Sequence, residues 1–261
     1  MTVIEAIILG IVQGLTEFLP VSSSGHIELG KALLGVKPSN PLLFSVVVHA
    51  ATALSTLVIF RKDVKELVLG LFQVKNNEAF RFSSFIVISM IPAAFIGLVF
   101  NDAIEVLFDS NVLLVGGMLL VTAVLLLFTD FAPARDKKLT LFNIIIIGLA
   151  QAIAILPGIS RSGATISTAV LLGVNRTQAA RFSFLMVVPL ILGKMAKDLL
   201  DESVVFEADM IMPLLAAFVA SFLVGLFACQ WMISLVKNSK LRYFAYYCIA
   251  VGLISIFLHF S

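Results

Sequence analysis

The run Gln13-Gly-Leu-Thr-Glu17-Phe-Leu-Pro20-Val-Ser22-Ser23-Ser24-Gly25-His26 crowds a carboxylate, three serine hydroxyls and an imidazole into a few turns of chain. A hydroxyl with a carboxylate and an imidazole nearby is the set of groups that makes a nucleophile and its acid/base partners. Gln13 and Glu17 lie four residues apart, so on a helix they share a face and can address one ligand or ion. Pro20 ends that helix and pushes Leu19 away from helical geometry. Ser22, Ser23 and Ser24 then stand where a second helix would begin, with hydroxyls and unpaired backbone N–H groups open to an anion. A helix starting near Ser22 puts Ser23 and His26 at i and i+3, where they can meet. A plainer reading is that the serines only cap a broken helix while Glu17 and His26 satisfy each other.

A second run, Gln151-Ala-Ile-Ala-Ile-Leu-Pro157-Gly158-Ile-Ser160-Arg161-Ser162-Gly163-Ala-Thr165, sets one guanidinium among hydroxyls and glycines. The arginine fork suits phosphate oxygens. Gly10/Gly148, Gln13/Gln151, Ser22/Ser160, Ser24/Ser162 and Gly25/Gly163 recur at one constant spacing, with the prolines one position out of step, which duplication explains better than chance. In that register Arg161 is the counterpart of Ser23. If the two runs meet tip to tip, both face one cavity. Gln13, Ser22, Ser24, Gly25, Ser160, Ser162, Gly163 and Thr165 are then the candidate substrate contacts. The competing reading is an Arg161 to Glu17 ion pair that merely ties the runs together; two Gly-Ser loops are more than a salt bridge needs.

The elements that must position these groups are membrane elements. At 60% hydrophobic and 13% charged residues, with a mean hydropathy of +1.09, the chain has more apolar surface than a water-soluble core can hide, so lipid must face much of it. Polar groups in such surroundings are costly and point to function. The N-terminal Met1-Thr-Val-Ile-Glu5 has no basic region and no small-residue cleavage site follows, so no cleaved signal peptide is expected. Cys229 and Cys248 fall in apolar segments and read as small hydrophobes.

Six apolar stretches are long enough to cross a bilayer: about 41 to 60, 82 to 100, 112 to 130, 181 to 200, 210 to 236 and 243 to 260. Residues 1 to 35 and 141 to 175 are each long enough to cross once, yet Pro, Gly and a hydroxyl run break each in the middle. Irregular backbone at membrane depth survives only against protein or a watery cavity, so each is expected to be a re-entrant helical hairpin. The expected fold is an all-α integral membrane protein with six transmembrane helices plus two re-entrant helical hairpins. It forms a single membrane domain with an inverted-topology repeat, repeat 1 about 1 to 130 and repeat 2 about 141 to 261.

Charge agrees with this plan if the N-terminus lies outside. Arg61, Lys62, Lys65, Lys75, Arg81, Arg135, Lys137, Lys138, Arg176, Arg181, Lys237, Lys240 and Arg242 then face the cytoplasm, most of the 18 basic residues. Asp102, Glu105, Asp109, Asp201, Glu202, Glu207 and Asp209 face the other side. Eight full crossings would instead put the acidic 201 to 209 loop and the basic 61 to 81 loop on one side.

Other polar or aromatic residues read more blandly. His49 could line a lipid path, though a lone histidine in a span more often satisfies a helix neighbour. Lys194 and Lys197 snorkel or pair with Asp198 and Asp201. Trp231, Tyr243, Tyr246 and Tyr247 suit an interfacial aromatic belt. Arg81-Phe-Ser83 and Arg181-Phe-Ser183 begin two spans as basic anchors.

With these motifs the chain resembles the undecaprenyl-pyrophosphate phosphatases, also called bacitracin-resistance proteins. The resemblance rests on Gln13 to His26, where that family has E/Q-x-x-x-E followed by P-V-S-S-[ST]-G-H, and on Pro157 to Thr165, where it has P-G-x-S-R-S. Val46-Val-Val-His49 leading to Phe60-Arg-Lys-Asp63, and the length, agree. It covers essentially the whole chain. Gln13 departs from the glutamate of many members and removes one negative charge from any metal site there.

The resemblance implies hydrolysis of undecaprenyl pyrophosphate to undecaprenyl phosphate and inorganic phosphate in the bacterial cytoplasmic (inner) membrane, recycling the carrier for cell-wall synthesis and giving bacitracin resistance. It implies Ser23 as nucleophile, His26 and Glu17 as acid/base or metal-linked neighbours, and Arg161 as phosphate clamp. Attack by water assisted by Glu17, and a nucleophilic His26, stay open. A divalent cation, magnesium or calcium, is implied as cofactor, with Glu17 its candidate ligand; no organic cofactor is expected. The partners expected are the polyprenyl pyrophosphate substrate and membrane lipids, with no nucleic acid and with a homodimer left open. The competing functions are a polyprenyl-phosphate flippase or transporter, since inverted repeats with broken helices also describe carriers, and a non-catalytic lipid-binding subunit.

Overall fold

The computed structural model describes residues 1–36, 38, 40–73, 77–108, 111–132, 136–200, 208–238 and 241–260. Lys75, Asp109, Arg135, Asp201, Glu202, Glu207 and Lys240, and the side chains of Asp102 and Glu105, all part of the charge pattern, lie outside the described residues, as does the side chain of Asp198, an expected lysine partner.

Among the described residues the chain is helical without a strand. Its helices are α1 (Val3–Thr16), α2 (Ser23–Leu34), α3 (Pro41–Ile59), α4 (Arg61–Leu71), α5 (Glu78–Val99), α6 (Asn101–Phe108), α7 (Val112–Phe131), α8 (Leu141–Ile153), α9 (Arg161–Leu171), α10 (Arg176–Leu200), α11 (Ile211–Lys237) and α12 (Arg242–Phe260). Local chemistry sets many of these limits. Thr2 with Glu5 closes a capping box on α1, and Thr140 with Asn143 does the same on α8. Asn40 caps α3, with Pro41 at its first position. Asn77 and Asn111 cap α5 and α7.

Among the described residues six helices are long and apolar enough to cross a membrane: Pro41–Ile59, Glu78–Val99, Val112–Phe131, Arg176–Lys197, Ile211–Lys237 and Arg242–Phe260. These are the six expected spans with ends moved by a few residues. Their outward faces carry exposed residues such as Val87, Phe95, Phe128, Phe227 and Phe257, apolar surface that suits lipid rather than water. The chain is thus a multi-pass membrane protein. The two motif segments do not form long helices. Each breaks into a pair of short ones, α1 with α2 and α8 with α9, and the members of each pair pack on one another.

Two short helices were not foreseen. In α4, Val64, Leu67, Val68 and Leu71 recur at helical spacing between Arg61, Lys62, Asp63, Lys65 and Glu66, an amphipathic pattern readable in the sequence. The other, α6, is only 8 residues long.

Helices of the two halves pair crosswise. α1 packs on α11 and α8 on α5, while α7 packs on α12 and α3 on both α10 and α11. Gly10 and Gly148, one pair of the sequence repeat, explain the first two contacts. A Cβ on Gly10 would sit 2.6 Å from the Ala217 carbonyl oxygen, and one on Gly148 would sit 2.7 Å from that of Ser89. Neither leaves room for a side chain, and both let helix backbones touch, as small residues do between helices in lipid.

Candidate active site

Glu17 is the hub. Its residue is 7% exposed, at the C-terminal end of α1, and its two oxygens collect groups from both motifs. Oε1 accepts from Arg161 Nη2 at 2.5 Å. Oε2 accepts from the Ser23 hydroxyl at 2.6 Å and from Gln13 Nε2 at 3.0 Å. The shared helix face expected for Gln13 and Glu17 is therefore present, and Ser23 and Arg161 meet on one carboxylate. The ion pair weighed against phosphate binding exists. It does not exhaust the arginine, because Arg161 Nη1 is buried without a partner, as is Gln13 Oε1. A buried guanidinium nitrogen with no acceptor calls for one.

Backbone construction brings these groups together. Ser23 is the first residue of α2 and Arg161 the first of α9, so the N-terminal ends of two helices converge on Glu17. Ser22 caps α2 through Gly25 N at 3.3 Å, and Ser160 caps α9 through Gly163 N at 3.0 Å. Unpaired N–H groups at the two helix starts add positive potential to that of the guanidinium. The two turns interlock. Ser162 donates to the Leu19 carbonyl at 3.3 Å, a Cβ on Gly25 would lie 3.2 Å from Gly158 Cα, and one on Gly163 3.3 Å from Pro20 Cβ.

Strain concentrates here as well. Among the described residues Ser22 is the only non-glycine with positive φ, at 70°, a conformation costing on the order of 1–3 kcal/mol. It turns the Ser22 carbonyl onto the ring of His26. His26 Nδ1 lies 2.8 Å from that oxygen and Nε2 2.9 Å from the Tyr247 hydroxyl, with the His26 and Tyr247 rings stacked at 5.5 Å. A carbonyl only accepts, so Nδ1 carries the hydrogen, and in the neutral ring Nε2 accepts from Tyr247. His26 is thus bonded neither to Ser23, as i and i+3 spacing allowed, nor to Glu17.

The remaining candidates hold the frame. Ser24 Oγ lies 3.4 Å from Ser22 Oγ, and Ser160 Oγ 3.2 Å from Ser162 Oγ. Thr165 donates to the Arg161 carbonyl at 2.8 Å and lies 2.7 Å from the Ser183 hydroxyl. Each of these hydroxyls already has a protein partner.

Residues that the motifs do not contain also serve the site. Thr122 of α7 donates to the Gly158 carbonyl at 3.1 Å and accepts from Ser160 N at 3.0 Å, fixing the second turn. Gly158 has φ 96°, and a Cβ there would stand 2.5 Å from the Val115 carbonyl oxygen. His49 Nε2 comes within 3.8 Å of Glu17 Oε2. A threonine in an apolar span and a tyrosine in an aromatic belt carry no sequence signal of such contacts; a histidine inside a span does.

The donor set does not suit a resident metal ion. Both Glu17 oxygens are occupied by cationic or hydrogen-bearing groups, and among the described residues no three His, Cys, Asp or Glu side chains cluster as ligands. A lone carboxylate already paired with a guanidinium is a weak base for a cation site.

Residues 6–254 match the family model described as bacitracin resistance protein BacA. The chain is 59% identical over 263 residues to an undecaprenyl-diphosphatase of Christiangramia forsetii, with 100% of each chain covered. It is 48% identical over 259 residues to one of Bacteroides fragilis, covering 97% of this chain and 96% of that one. It is 40% identical over 264 residues to one of Korarchaeum cryptofilum, covering 97% and 98%.

Proposed function

Since the chain belongs to the bacitracin resistance protein BacA family, we infer that it is an undecaprenyl-diphosphatase, hydrolysing undecaprenyl pyrophosphate to undecaprenyl phosphate and inorganic phosphate. The observation that supports the site assignment is the convergence of Ser23 and Arg161 on Glu17, a hydroxyl, a guanidinium and a carboxylate within reach of one another.

Ser23 attacks the terminal phosphorus. Its proton passes to Glu17 Oε2, and the bond from phosphorus to the bridging oxygen breaks with its electrons leaving on the lipid monophosphate. Arg161 keeps Nη2 on Glu17 and offers Nη1 to a phosphoryl oxygen, while the N-termini of α2 and α9 face the same charge. Phosphoryl transfer needs little covalent machinery and much positioning of positive groups, which these supply. Water then cleaves the phosphoserine. His26 positions rather than attacks, since both ring nitrogens are engaged. No residue of this chain is assigned as a ligand of magnesium or calcium.

Residues 1–35 and 141–175 act as re-entrant hairpins of an inverted repeat in the bacterial inner membrane, with the N-terminus outside. The crosswise pairing of α1 with α11 and α8 with α5 supports that plan. Single cysteines at Lys137 and Asp209 test the topology, since a membrane-impermeant thiol reagent should reach them from opposite faces; labelling of both from one face refutes it. For the chemistry, purified protein in detergent should release phosphate from a polyprenyl pyrophosphate, and Ser23→Ala and Arg161→Ala should each abolish that release. Full turnover in Ser23→Ala would end the nucleophile assignment.

A further inference from the structure

His49 lies in α3, outside both motifs, and its ring is aimed. Nδ1 sits 2.8 Å from the Ser45 carbonyl oxygen, which only accepts, so Nδ1 bears the hydrogen and the neutral ring presents Nε2 as a bare acceptor. That acceptor looks at Glu17 Oε2 across 3.8 Å. The gap is too long for a hydrogen bond and the two lone pairs would repel, but it suits a water that donates one hydrogen to each. The same Oε2 already holds the Ser23 hydroxyl. The His49 side chain is also 30% exposed against 6% for that of Glu17, so this is the more open side of the carboxylate.

We propose that His49 is a positioning residue that holds, with Glu17 Oε2, the water that hydrolyses the phosphoserine formed on Ser23. With both hydrogens turned to Nε2 and Oε2, the water's oxygen lone pairs are left for phosphorus. The proton that Glu17 took from Ser23 in the first half leaves on the lipid monophosphate. In the second half the water oxygen bonds to phosphorus while the Ser23 oxygen–phosphorus bond breaks. One water proton moves to Oε2 and on to Ser23 Oγ, and the other stays on the released phosphate. His49 forms no bond to substrate and carries no net proton, as a side chain that only orients water in phosphoryl transfer.

The proposal rests on Ser23 being the nucleophile, so the experiment separates the two. Native protein, Ser23→Ala, His49→Leu and His49→Gln are purified in detergent and mixed with a polyprenyl pyrophosphate. The reactions are quenched in acid, and phosphate release and the mass of the Ser23 peptide are both followed. Leucine fits an apolar span and removes the acceptor; glutamine keeps a polar atom within reach. Matched elution and melting profiles show that the variants fold. His49→Leu should lower kcat about 100-fold and KM in proportion, leaving kcat/KM near native because only the second half is slowed, and phosphorylated Ser23 should rise from undetectable to most of the protein. His49→Gln should stay within a few-fold of native. A fast His49→Leu, a slow one without phosphoserine, or a His49→Gln as slow as His49→Leu overturns the role of His49. Turnover by Ser23→Ala instead overturns the nucleophile on which it rests.

Discussion

The turn between α1 and α2 and the turn between α8 and α9 are built alike and equipped differently. Each is entered by a helix with glycine and glutamine in matching places, Gly10 and Gln13 in one, Gly148 and Gln151 in the other, and each is left by a helix capped by serine, Ser22 or Ser160. At the first residue of the outgoing helix, however, one has Ser23 and the other Arg161. Where the first has Glu17 the second has Ile155. The shared build supplies two helix N-termini aimed at one place; the proposed chemistry comes from positions at which the two turns differ.

The strongest way to break this contrast is to remove the one carboxylate. Glu17→Ala strips Ser23 of its proton acceptor and leaves a buried guanidinium unpaired, a loss of roughly 3–5 kcal/mol in stability when a partner of such a pair is deleted. Phosphate release should fall at least about 10³-fold, as for loss of a base with its positioned nucleophile, and the melting temperature should drop. Near-native release from Glu17→Ala would mean that the divergence at this position is not what makes the first turn the reactive one.

The scaffold should behave symmetrically where the chemistry does not. Gly10→Ala and Gly148→Ala each force a Cβ to within 2.6 and 2.7 Å of a backbone oxygen, and overpacking of that kind costs typically about 1–3 kcal/mol. Thermal unfolding in detergent should show similar losses for the two. A large loss in one and none in the other would show that the halves are not equivalent supports.

How much of this was legible in the sequence follows the same division. The six spans, the two broken segments, and Glu17, Ser23 and Arg161 could be read from hydropathy and from polar groups too costly to bury without purpose. The amphipathic α4 could have been read from Val64, Leu67, Val68 and Leu71. What could not be read were contacts between residues far apart in the chain. The i and i+3 spacing of Ser23 and His26 was compatible with a dyad, but the positive φ of Ser22 and the arrival of Tyr247 from α12 engage the imidazole elsewhere. Thr122 and His49 likewise matter through what folding brings beside them.

Gln13 and Gln151 sharpen the comparison at smaller scale. Both are buried, and each has a side-chain oxygen without a partner. Gln13 donates to a carboxylate at 3.0 Å and Gln151 to the neutral Ser89 carbonyl at 3.4 Å. Bonds to charged groups are worth more than neutral ones, so Gln13→Ala should slow turnover about tenfold, while Gln151→Ala should leave turnover unchanged and lower only the melting temperature. Equal kinetic effects would make the glutamines structural in both halves.

The smallest effect concerns the residue that reads His26. Tyr247→Phe keeps the ring stacked on the imidazole and removes only the hydroxyl that meets Nε2. One neutral hydrogen bond at a partly exposed position is worth about 0.5–1.5 kcal/mol, so turnover should fall only a few-fold, and Tyr247→Ala, which also removes the stack, should fall further. That graded pair separates holding from catalysis. An imidazole that merely braces the first turn tolerates the loss of one bond. One that must accept or deliver a proton through Nε2 would respond to Tyr247→Phe with a change as deep as that of Tyr247→Ala, because its proton partner is gone in both. Measured kcat values for the two variants decide whether the working side chains of the first turn are Glu17 and Ser23 alone or include His26.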